Sequence, residues 1–237
     1  MKPAIVGVLG GMGPEATVDF MSAVIRLTVA GRDQDHIRMI VDHNPRVPDR
    51  QAAMHGDRSV VSKVLAEMAL GLEAAGAEFL VMPCNTAHIF IDDVLPKLHV
   101  PFINIVDDTV REFSVLRPDA KRVGVMATTV CIESGIYQEA LAAFDRAAVL
   151  PAGDQQQALM ELIFRIKRAD KGDDVRTAMR AIAAGLVAAG AEAVIAGCTE
   201  IPLVLGESDL DVPFISSTEV LARRTVERAA GTHAERS

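Results

Sequence analysis

A single segment occurs twice in this chain, and it limits the possible folds more than any other feature. Leu72 to Cys84, LEAAGAEFLVMPC, recurs as Leu186 to Cys198, LVAAGAEAVIAGC, in a register that also aligns Val61 with Val175 and Gly71 with Gly185. With small slips the likeness extends outward. Val6-Gly7-Val8 is echoed by Val123-Gly124-Val125, and Val100-Pro101-Phe102-Ile103 by Val212-Pro213-Phe214-Ile215. Self-similarity at roughly half the chain length, with the elements in the same order, denotes a duplicated unit and not a solenoid of short repeats. Two like halves facing each other across a pseudo-twofold axis are expected.

In each copy an Ala-rich helix runs to a glycine suited to a helix C-terminus, Gly76 or Gly190, and a short apolar run then stops at a cysteine. The run has strand length and is apolar on both faces, as in a buried parallel strand. Cys84 and Cys198 therefore fall at carboxyl ends of strands, where open α/β sheets bind ligands. Thr86 and Thr199 follow as candidate helix N-caps, and Pro202 is tolerated in a first helical turn. A lone buried cysteine is more often packing than chemistry. Two at equivalent positions of a duplication, beside neighbours as diverged as Met82 and Ala196, are better explained by chemistry.

Composition narrows the classes. A formal net charge of −8 at pH 7 leaves no basic face for a phosphate backbone, which argues against nucleic acid. No run reaches the roughly 18 apolar residues of a membrane span, since Glu192 interrupts the longest candidate, and the N-terminus enters a strand without a signal-peptide pattern. No membrane partner and a cytoplasmic location are expected. Three cysteines, without close spacing, fit reduced thiols and not a disulfide framework. The six histidines are scattered, and no His-Glu-x-x-His or Cys-x-x-Cys pattern points to a metal.

Along the chain, a strand is expected over 4–9 and a helix over 15–30, joined by Gly10-Gly11-Met12-Gly13-Pro14. The glycine spacing is wrong for a dinucleotide fingerprint and suits a loop whose backbone N–H groups approach a small anion. A strand over 37–42 leads into the Pro-rich segment Asn44 to Arg50 on the ligand side, with Arg46 and Arg50 on its rim. A helix over 57–75 precedes Cys84, Pro101 to Ile105 is the last strand of the first half, and Asp107 to Leu116 a crossover helix. The second half repeats the plan with a strand over 122–127, a helix over about 133–144, a strand near 147–150 and a helix over about 155–167. Lys167 and Lys171 then flank a turn and could be ordinary helix-end lysines. The polar tail from Gly231 is expected to fray.

These residues resemble the aspartate/glutamate racemase family. The likeness lies in Gly10-Gly11-Met12-Gly13-Pro14, Asn44 to Arg50, Pro83-Cys84-Asn85-Thr86-Ala87-His88 and Gly197-Cys198-Thr199-Glu200, and it covers nearly the whole chain in order. One departure is Cys131, in a segment where relatives often carry Thr. The resemblance implies an α/β fold of two similar Rossmann-like domains with parallel sheets and an active site in the cleft between them. The expected boundaries are 1–105 plus 216–237, closed by the C-terminal helix, and 106–215. It also implies a cofactor-independent two-base mechanism, a small amino-acid substrate and a homodimer. By the same resemblance Cys84 and Cys198 are catalytic, and Met12, Arg50, Asn85, Thr86, Lys167, Thr199 and Glu200 bind substrate.

Inverting an α-amino acid without a cofactor requires removing the Cα proton on one face and returning a proton on the other. A pseudo-twofold pair of thiols supplies both groups. Ionising a cysteine of reference pKa about 8.5 costs roughly 2 kcal/mol at pH 7, and a helix N-terminus offsets up to about that much. Backbone N–H groups around Asn85-Thr86 and Thr199-Glu200 are candidates to hold the α-carboxylate. Arg50 and Lys167 would receive a second carboxylate, which points to aspartate or glutamate. Other readings are a broad-specificity racemase, a decarboxylase or isomerase of the same fold, a Cys84–His88 hydrolase, and a non-catalytic amino-acid-binding protein.

Overall fold

The structure is a computed structural model describing residues 3–231. The first unit takes in the chain up to Ile105 and again from Thr218; the second is Val106–Ser217. In the first unit β1 (Val6–Gly10), α1 (Pro14–Leu27), β2 (Met39–His43), α2 (Arg50–Met54), α3 (Ser59–Ala74), β3 (Phe79–Val81) and β4 (Phe102–Ile103) follow in order. Their four strands form a parallel sheet in the order β2-β1-β3-β4. α4 (Ile105–Leu116) leads into β5 (Arg122–Met126), α5 (Thr129–Glu133), α6 (Ile136–Ala142), β6 (Ala147–Val149), α7 (Gly153–Lys167), α8 (Asp173–Ala188), β7 (Ala193–Ala196) and β8 (Phe214–Ser216). The second sheet is also parallel, ordered β6-β5-β7-β8, which repeats the first order strand for strand. α9 (Ser217–Ala229) carries the chain back to the first unit, where Ala4 N–H donates to Ala229 O at 2.9 Å.

Much of the sequence repeat is packing. α3 and α8 end in matching Schellman closures: Gly76 N–H donates to Glu73 O and Ala77 N–H to Leu72 O, and Gly190 and Ala191 do the same to Val187 and Leu186. Gly76 and Gly190 take φ of +97° and +94°, a region that costs a Cβ-bearing residue energy. Gly7 and Gly124 let these helices sit close on the central strand. A Cβ at Gly7 would lie 2.8 Å from Ala77 Cβ and 3.2 Å from Leu72 Cβ, and one at Gly124 3.3 Å and 3.2 Å from the matching Ala191 and Leu186. The repeated glutamates close the strand starts. Glu78 accepts from Ile5 N–H at 2.7 Å, and Glu192 from Lys121 and Arg122 N–H at 2.6 and 2.8 Å.

Several elements differ from the sequence expectation. The helix expected over about 133–144 is α6, which starts only after Gly135 at φ of +78°, and a further short helix not expected from the sequence, α5, precedes that glycine. The strand expected from Pro101 to Ile105 is only Phe102–Ile103, and Ile105 already starts α4. The segment Asn44 to Arg50 ends in a helix, α2, whose start Asp49 caps by accepting from Gln51 and Ala52 N–H. Neither threonine after the cysteines caps an α-helix. The chain there makes 3-10 turns, Thr86–Asp93 after Asn85 and Ile201–Leu203 after Glu200, with no side-chain cap. Of the tail expected to fray from Gly231 to Ser237, residues 232–237 lie outside the described residues. Among the described residues no helix is long and apolar enough to cross a membrane.

Candidate functional site

In the first unit the candidate site residues cluster just past the carboxyl ends of β1, β2 and β3. Cys84 lies three residues past β3 and is 5% exposed, with Met82, Pro83, Asn85 and Thr86 buried around it. Met12, just past β1, is also buried. Arg50 opens α2 and is half-buried, and its Nη1 donates to Val47 O and Pro48 O at 3.0 Å each. Those two bonds tether the guanidinium to its own loop. Arg46, by contrast, is exposed.

His88 is fully enclosed and its ring is committed. Ile105 N–H lies 3.3 Å from Nε2, which must therefore accept, so Nδ1 carries the proton and donates to Cys84 O at 2.8 Å. The imidazole supports the Cys84 backbone and does not address its sulfur, which removes the geometric basis for a Cys84–His88 hydrolase. Burial lowers the His88 pKa from 6.5 to about 4, partly offset by the bond to Cys84 O. Unfolding below about pH 6.5 therefore takes up a proton, and stability falls with pH down to about 4, where the folded form also protonates. The expected loss is about 2 kcal/mol between about pH 7 and about pH 4.5. Urea titrations at the two pH values should show it, and His88→Asn should remove it. An equal pH dependence in the variant would assign it to other groups.

In the second unit Cys198 lies two residues past β7, 5% exposed, beside buried Thr199 and Glu200. Its Sγ donates to Glu200 Oε2 at 3.1 Å, and Glu200 Oε1 accepts from Lys167 Nζ at 2.5 Å. Thr199 Oγ1 lies 3.4 Å from the same Oε2. Lys167, at the end of α7, thus neutralises a carboxylate that is only 4% exposed and holds it against the thiol. Burial, and next the charge of Glu200, push the Cys198 thiol well above its ordinary pKa. Lys167 and a hydrogen bond from Glu200 N–H pull the other way.

Two expectations change here. The three-residue turn after Cys198 is too short to act as a helix dipole, so no helix N-terminus lowers its pKa; Cys198 stands as a thiol. The Glu200 N–H, a candidate for the substrate carboxylate, is directed at the sulfur. The sequence gives no signal for the Lys167–Glu200 pair, whose members are 33 residues apart on different elements. The Glu two residues after Cys198 could not have flagged it either, because the first copy of the repeat has Thr86 there.

A family model described as Asp/Glu/Hydantoin racemase matches residues 9–225. The broad specificity amino-acid racemase RacX of Bacillus subtilis (strain 168) is 30% identical over 94% of this chain and 96% of its own. A glutamate racemase of Corynebacterium kroppenstedtii is 31% identical over 84% of this chain and 70% of its own. Among solved structures, the Picrophilus torridus aspartate racemase superposes with a TM-score of 0.85 at 30% identity, covering 96% of this chain and 94% of that one.

Proposed function

The chain belongs to the Asp/Glu/hydantoin racemase family and is an amino-acid racemase, and from that premise we propose that it inverts an acidic amino acid, aspartate or glutamate, by a cofactor-independent two-base cysteine mechanism. One observation carries the reading. The duplicated unit places a sulfur at the same point in each half, Cys84 and Cys198 each just past the third strand of its sheet, where the neighbouring Met82 and Ala196 have diverged.

In this cycle one cysteine thiolate takes the Cα proton, and the other cysteine delivers its own proton to the opposite face of the resulting carbanion. The two thiols exchange protonation states with each inversion. Cys198, held as the thiol, fits the donor in one direction. For the reverse direction Glu200 is the acceptor of its proton, at hydrogen-bond distance from Sγ and stabilised as a carboxylate by Lys167. Asn85, Thr86 and Thr199, buried beside the sulfurs, are assigned to the α-carboxylate and α-ammonium groups, with Met12 as an apolar wall. Arg50 is assigned to the side-chain carboxylate, because a guanidinium already aimed by two loop carbonyls loses little freedom on binding.

A broad-specificity racemase is the second reading, favoured because the Lys167 charge is already taken by Glu200. Arg50→Ala separates the two. Loss of one charge-assisted contact should lower kcat/KM for aspartate or glutamate by about 10-fold to 100-fold and leave neutral amino acids nearly unaffected. Equal losses on all substrates would favour the broad reading. The homodimer belongs to this proposal as well, and a single-chain mass in sedimentation would remove it. The decisive test is the reaction in heavy water. Product enantiomer should carry deuterium at Cα from the earliest times while recovered substrate stays protonated; label entering both equally at the start would point to a single base.

A further inference from the structure

Tyr137 takes no part in the cycle above, yet it is buried to 0% exposure beside the Cys198 strand end. It lies in the first turn of α6. Its hydroxyl hydrogen-bonds the side chains of Ser217 and Thr109, both also completely buried. Ser217 Oγ donates its own proton to Ala196 O at 2.8 Å. Toward Tyr137 it is therefore an acceptor, and the direction of the chain follows: Thr109 to Tyr137, Tyr137 to Ser217, Ser217 to the carbonyl of the last residue of β7. The ring completes the contact from the other side. A Cβ added at Gly197 would lie 2.7 Å from Tyr137 Cε2 and 3.2 Å from Cζ, so the glycine before Cys198 is flush with the ring. Gly197 N–H is tied to Met126 O at 2.8 Å. The Ala196–Gly197 peptide, immediately before Cys198, is thus held by its carbonyl and its amide, and Gly197 by its Cα.

The same hydroxyl gathers both ends of the second unit. Thr109 lies on α4, where the chain enters that unit, and Ser217 is its last residue. We propose that Tyr137 is the positioning residue of Cys198, fixing the sulfur relative to the segments by which the chain enters and leaves its unit. The inference rests on the two-base reading, in which Cys198 serves one face only. Burial pushes the Tyr137 hydroxyl well above its ordinary pKa, so it stays a hydrogen-bond donor and exchanges no proton with the thiol.

The test is Tyr137→Phe in the full-length protein, with Ser217→Ala as a second variant that keeps the ring and breaks the link to Ala196. Because the two enantiomers are equal in energy, kcat/KM must fall equally in both directions, by about tenfold here, with KM nearly unchanged. The sensitive readout is the isotope effect with Cα-deuterated substrate. Slowing only the Cys198 transfer should raise it for one enantiomer and lower it for the other. Peptide-resolved alkylation should change at Cys198 and not at Cys84. An unchanged rate, or a loss that leaves both isotope effects and both alkylation rates as they were, would overturn the inference. A wild-type-like rate in Cys198→Ser would instead overturn the two-base reading, so the two failures are distinguishable.

Discussion

Serine at either Cys84 or Cys198 should abolish racemisation, lowering kcat/KM by at least about 10³-fold, or about 4 kcal/mol. A hydroxyl is far too weak an acid and base to replace a thiol in proton transfer to carbon, and a two-base cycle stops when either partner fails. The fold should survive. Both side chains are nearly buried, and a serine fills almost the same volume, so circular dichroism and the urea midpoint should change little. The variants should also be complementary. With Cys198 replaced, Cys84 can still remove and return a proton on its own face, so one enantiomer exchanges its Cα hydrogen with heavy water without inverting. Cys84→Ser should exchange the other enantiomer. Exchange of the same enantiomer by both variants would leave one sulfur without a face of its own.

Glu200→Gln should lower turnover by about 10²-fold or more while making Cys198 more reactive toward an alkylating reagent near neutral pH. These effects have opposite signs because Glu200 acts in two ways. Its charge is the second cause, after burial, of the raised thiol pKa, so neutralising it favours the thiolate and leaves Lys167 unopposed beside the sulfur. In the proposed cycle its oxygen, 3.1 Å from Sγ, is also the acceptor through which the thiol proton leaves. Lys167→Met is the converse experiment. Removing the cation that lowers the thiol pKa should slow alkylation of Cys198, and it strands a buried carboxylate at a cost of about 3 kcal/mol. If Glu200→Gln raised alkylation and turnover together, the carboxylate would only suppress the thiolate, and the proton would leave by another route.

The duplication was legible because it is written in local chemistry. A glycine that must adopt positive φ at Gly76 and Gly190, an alanine and a leucine that must fit under Gly7 and Gly124, and a glutamate that closes a strand start are all fixed by neighbours a few residues away or one strand over. Short-range constraints of this kind dictate residue type, so the residues alone revealed the duplicated parallel α/β units and the location of both cysteines at strand ends. The state of those cysteines was decided elsewhere. Lys167 reaches Glu200 across 33 residues, His88 spends its ring on Cys84 O and Ile105 N–H, and Tyr137 meets Gly197 and Ser217 only once α6 has packed onto its sheet. A 3-10 turn replaces the expected α-helix after Cys198. These side chains work in buried surroundings, and the partners of Lys167, Tyr137 and the His88 Nε2 lie far away in sequence; neither burial nor such a partner exists until the sheet has brought the elements together.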